Sequence, residues 1–202
     1  MPTLLDLLEQ LVDGCLQLCQ QPQEQQRPSF KDFVEPVYRI FERVHEKYLA
    51  SFLDYQAKLD EAGVFAGKVK ELCGRLSDDT RFSADQETKV IPFMEISRKQ
   101  LTSYLRDDPL IGFLTDIRSY LIRAFTEVYG TQYTGGTLRV MSPVFRNSMA
   151  ARVRKIVAES ALTEQGKHVA VAQVLDGIEA ELQGGFEAVR KRYLAIQTNM
   201  AL

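Results

Sequence analysis

Arg139, Arg146, Arg152, Arg154 and Lys155 lie between Glu127 and Glu159, and no Asp or Glu separates them. Guanidinium forks match the paired oxygens of a carboxylate or a phosphate, and an ammonium group adds a compact point charge. Such a segment is suited to grip an acidic partner. The whole chain has a formal net charge of -2, so the rest of it carries -7 once these five charges are set aside. That segregation predicts a basic face. The overall balance differs from that of a strong nucleic-acid binder, which is usually basic throughout. The acidic remainder also supplies counter-charges within the protein, in the first helix and at Glu179, Glu181 and Glu187.

Three smaller groupings contain residue types that do chemistry. Arg39 and His45 are separated by five residues. This pair resembles the Arg…His motif of HEPN ribonucleases, which are also small helical bundles. The resemblance covers these two residues and a helical background. It implies that Arg39 and His45 flank the scissile phosphate of an RNA strand. Position 40, usually polar in that family, is Ile40 here. The alternative for His45 is a place on the rim of a packed helix.

Glu42 and His45 are one helical turn apart, a spacing that di-iron carboxylate proteins use to aim two ligands at one metal. Such a site needs a second motif of the same kind. The other histidine, His168, has Glu164 at the wrong offset. Cys15 and Cys19 share a helix face, but with Cys73 they match no zinc-ligand spacing, so they are expected in the core. No metal and no cofactor is expected. The chain has no P-loop and no Gly-x-Ser-x-Gly. An odd cysteine count argues against a secreted disulfide scaffold.

The elements that must position these residues are helical. Thr3 can cap a helix running to about Cys19, with Leu4, Leu8, Leu11, Cys15 and Leu18 on one face. Residues 20–28 read as a Gln/Pro linker. After a Ser29/Asp32 capping box, an apolar stripe from Phe30 through Val34, Phe41, Tyr48, Tyr55 and Leu59 predicts a long helix that starts near Pro36 or kinks there, and Gly63 is its expected stop. Asp108-Pro109 opens a helix to Tyr129, apolar around most of its circumference and therefore expected at the centre of the fold. Thr134-Gly135-Gly136-Thr137 suits a small hairpin or a loose loop. Ser142-Pro143 opens a helix expected to end at Gly166. A last helix is expected from His168 to Thr198, weakened or bent at Gly184-Gly185.

These elements predict an all-α, up-and-down bundle of six to seven helices, with an arm at 1–20, a linker at 21–29 and the main bundle at 30–202. The opening residues hold no basic leader or long apolar run, and no stretch is long enough to span a bilayer. The expected protein is a non-enzymatic binding or adaptor subunit in the cytoplasm. It would associate with a protein partner or with itself, and its basic helix would be the recognition face. The alternatives are nucleic-acid backbone binding through the same face, and an RNase acting through Arg39 and His45.

Overall fold

The computed structural model describes residues 2–20, 34–61, 67–72, 74, 93, 109–129, 132–134, 137–139 and 149–200. The architecture is all-α. Its elements are α1 (Leu4–Gln20), α2 (Glu35–Asp60), α3 (Pro109–Tyr129), the hairpin strands β1 (Gln132–Thr134) and β2 (Thr137–Arg139), α4 (Met149–Ala158) and α5 (Glu164–Met200). Residues 67–72 are helical as well. The linker at 21–29 lies outside the described residues.

Local chemistry sets the helix ends. Thr3 and Asp6 cap α1 reciprocally. The Asp6 amide donates to Thr3 Oγ1 at 3.2 Å, and the Thr3 amide donates to Asp6 Oδ2 at 2.7 Å. The Thr3 backbone N–H, and next its side chain, favour the charged form and hold the Asp6 carboxyl below its ordinary pKa. Pro36 falls in the first turn of α2, where its missing N–H leaves no helical bond unmade. α2 stops at Asp60, before Gly63. Glu61 has ψ near 146°, and Lys68 Nζ donates to the carbonyls of Leu59 and Glu61 at 2.9 and 2.7 Å. A lysine thus satisfies carbonyls that a glycine cap would otherwise serve.

Two boundaries differ from the sequence expectation. The helix after Pro143 ends at Ala158, and Gly166 lies in the first turn of α5. Thr163 decides this: its hydroxyl accepts the Gly166 amide at 3.1 Å, an N-cap that starts α5 at Glu164. α5 then runs unbroken through Gly184-Gly185 for 37 residues, about 55 Å at 1.5 Å per residue.

Among the described residues, α5 packs on α2, α3 and α4, while α1 packs on α2. The residues in contact show the directions. Tyr38, His45 and Gln56 of α2 meet Tyr193, Gln183 and Asp176 of α5, so these two helices are antiparallel. Gly112, Tyr120 and Arg123 of α3 meet Arg192, Gly185 and Glu181, also antiparallel.

The core follows the expected stripes. Val37, Phe41, Val44, Tyr48, Phe52, Tyr55 and Leu59 are buried on α2, and Val171, Leu175, Ile178, Leu182, Val189 and Tyr193 on α5. Leu7, Leu8, Leu11 and Cys15 of α1 belong to the same cluster. Burying a side chain of this size contributes roughly 1.5–3 kcal/mol. α1 comes close to α2 at Gly14, where a Cβ would lie 2.8 Å from Val37 Cγ2. The hairpin pairs Gln132 with Arg139 and Thr134 with Thr137, so the Gly-Gly segment joins paired strands. Among the described residues no helix is long and apolar enough to cross a membrane.

Candidate functional site

The basic segment is organised by α4. Met149, Ala150 and Val153 are buried, and Ile156 and Val157 pack partly against the core. That apolar side docks on α3 and α5. The rotation of the helix then turns Arg154 and Lys155 to solvent, while Arg152 is half-buried. Lys167 of α5 donates to the Val157 carbonyl at 2.9 Å and closes the C-terminal end of α4. Arg139 ends β2, opposite Gln132. Arg146 lies outside the described residues. Of the five cations, the fold therefore places Arg154 and Lys155 together on one exposed helix face, with Arg152 at its edge.

The acids considered as counter-charges are engaged along α5. Glu181 pairs with Arg123. Glu187 accepts from Gln183 and lies 3.6 Å from Arg190, and Glu179 accepts from Gln56 at 3.2 Å.

Arg39 and His45 are not brought to one site. Six residues along a helix turn side chains by about 240°, so the two leave α2 in different directions. Arg39 is exposed and held between Glu35 at 3.7 Å and Glu42 at 3.0 Å. Its hydrogen bond to the Glu42 carboxylate raises its pKa further. His45 is 3% exposed, inside the α2/α3/α5 seam rather than on a rim. Its ring stacks on Phe186 with centroids 4.1 Å apart and planes 7° from parallel.

Both nitrogens of that ring are in use. Nε2 is 3.0 Å from Gln183 Oε1, and Nδ1 is 2.9 Å from the Tyr120 hydroxyl. The amide oxygen of Gln183 can only accept, which assigns the proton to Nε2 and makes Nδ1 the acceptor from Tyr120. Gln183 Nε2 in turn donates to Glu187 Oε1 at 3.2 Å. A single polar thread thus runs Tyr120, His45, Gln183, Glu187, from the core to the surface of α5. Burial holds the His45 pKa below 6.5, because the charged ring would lose its water, although the Gln183 bond and the nearby Glu187 and Glu46 act the other way. The neutral ring is the form that fits.

Among the described residues no group of three or more His, Cys, Asp or Glu converges. Glu42 turns to Arg39 and His45 turns to Tyr120 and Gln183, so their one-turn spacing does not aim them at a common point. Cys15 is buried as expected; Cys19 and Cys73 have no described side chain. An open groove between α1 and α2 is bordered by Gln10, Asp13, Gln17 and Ile40, with a single charge among them.

The sequence reading missed the thread, not the stripes. His45 lies seven residues from both Tyr38 and Phe52, all three buried, a heptad column that could have marked it as inward-facing rather than on the rim. Tyr120 and Gln183 are 75 and 138 residues away from it, and no local pattern joins them.

No protein-family model matches the chain. Searches of curated proteins and of solved structures likewise find no match.

Proposed function

We propose that the protein is a non-enzymatic binding or adaptor subunit of a cytoplasmic complex, with the outer face of α4 recognising an acidic protein surface. The observation that carries this reading is the placement of Arg154 and Lys155. They stand side by side in solvent on a helix whose opposite face is buried, in a stretch of chain without acids. Charges so placed steer an acidic partner and fix its orientation more than they add raw affinity. The buried, fully bonded His45 supports a structural role for the most reactive side chain of α2.

Fluorescence anisotropy with a labelled poly-glutamate peptide and a random duplex, each at low and moderate salt, tests the reading. The wild type should bind the peptide more tightly, with affinity falling as salt rises. Arg154→Glu combined with Lys155→Glu should abolish binding while leaving the urea midpoint within about 0.5 kcal/mol, as expected for exposed positions. Tighter binding to the duplex would favour the nucleic-acid alternative instead. Binding to neither probe would remove both.

A further inference from the structure

The outward side of α2 carries a pattern that the core does not need. Positions 43, 46, 50, 53, 57 and 60 are all exposed and follow one another by steps of three and four residues, the repeat of a coiled-coil seam. The middle of this seam is apolar. Leu53 is 61% exposed, the most exposed of the large apolar side chains among the described residues, and it lies between Ala50 and Ala57 on the seam. The ends carry opposite charge: Arg43 toward the N-terminus of α2 and Asp60 at its C-terminus.

A seam with Arg43 at one end, apolar residues in the middle and Asp60 at the other sets each terminal charge against its opposite when reversed. We infer that the outer face of α2 is a homodimer interface, in which α2 of one copy lies antiparallel to α2 of a second copy. With the two-fold axis between residues 51 and 52, Arg43 of each copy faces Asp60 of the other, and Ala50 of each faces Leu53 of the other. Each small residue leaves space for the opposing leucine. Glu46 falls opposite Ala57, whose short side chain lets the carboxylate reach solvent. On one flank Lys47 comes opposite Asp54, again in both halves. A two-fold axis repeats every contact, so two different charge pairs become four.

From Arg43 to Asp60 the seam is about 26 Å long at 1.5 Å per residue. Contact along one helix of that length belongs to the small class of protein interfaces, so association is concentration-dependent and reversible. The surface is separate from α4, and the two readings fail independently.

Sedimentation equilibrium on the full chain over a wide concentration range is the test. The mass should rise from 23.0 kDa toward twice that value with concentration. Added salt should weaken the association. Leu53→Glu and Arg43→Asp should each raise the dissociation constant at least about tenfold. Arg43→Asp combined with Asp60→Arg swaps the pair in both halves and should bring it back to within about threefold of wild type. A mass of 23.0 kDa at every concentration would assign the seam to another occupant and overturn the inference. So would a dimer indifferent to Leu53→Glu and Arg43→Asp, or a failure of the charge swap to restore association.

Discussion

The hydroxyl of Tyr120 lies 2.9 Å from Nδ1 of His45, and this hydrogen bond ties α2 to α3 through the middle of the core. Tyr120 is 1% exposed, and its ring also meets Phe41 edge-on at 4.9 Å. Replacing Tyr120 with Phe keeps the ring and removes the proton that its hydroxyl donates to Nδ1. The buried nitrogen then lacks its donor, and the cost should be about 1–3 kcal/mol in urea denaturation. Adding His45→Leu removes the stranded acceptor, so the double variant should lose less than the sum of the two single losses.

Stability should depend on pH through the same ring. The folded state holds the His45 pKa below 6.5, whereas the unfolded chain has the ordinary value near 6.5. Between those two values the unfolded chain binds more protons, so stability rises with pH there. His45's contribution is therefore complete above 6.5 and is lost as pH falls from 6.5 through the lower folded value. Urea midpoints across this range should fall for the wild type. The fall should be shallower in His45→Gln, which can still bond both neighbours and does not titrate.

Gly184 and Gly185 should respond in opposite directions to alanine. A Cβ at Gly184 meets nothing within 4 Å, so Gly184→Ala should stabilise α5 by about 0.5–1 kcal/mol through helix propensity. A Cβ at Gly185 would lie 3.1 Å from Tyr120 Cδ2. That ring is held by His45 and Phe41 and has little room to yield, so Gly185→Ala should destabilise by about 1–2 kcal/mol despite the better propensity. Thermal midpoints of the two variants make the comparison directly.

Docking of α1 should be sensitive to a single methyl. At Gly14 an added Cβ would stand 2.8 Å from a methyl of Val37, a β-branched side chain with little rotamer freedom. Gly14→Ala should cost about 1–3 kcal/mol. In the background Val37→Ala the same change should cost markedly less, a coupling that a double-mutant cycle reads directly.

The start of α5 is tested by its cap. Thr163→Ala removes the acceptor of the Gly166 amide and should cost about 1 kcal/mol, whereas Thr163→Ser should be nearly neutral. A helix beginning at His168 would be indifferent to both.

What the sequence determined by itself was whatever depends on neighbours within a few turns. Leu8, Leu11 and Cys15, and Phe41, Tyr48 and Tyr55, are buried as their periodicity required, because one helix presents residues three and four apart on one face. Thr3 and Pro109 marked helix starts from local sequence alone. The acid-free stretch was visible as composition, and the amphipathicity of α4 then fixed that Arg154 and Lys155 face outward. The tertiary structure decided everything that needs a partner from far along the chain. His45 and Arg39 looked alike as candidates by spacing, but packing against Tyr120, Gln183 and Phe186 enclosed one and left the other in solvent with Glu35 and Glu42. Gly185 looked like a weak point in a long helix until Tyr120 was placed against it. The reason is the same in each case. Helical periodicity says which side of a residue turns inward, but only the crossing of helices far apart in sequence says what it meets there, and that meeting sets burial, protonation and strain.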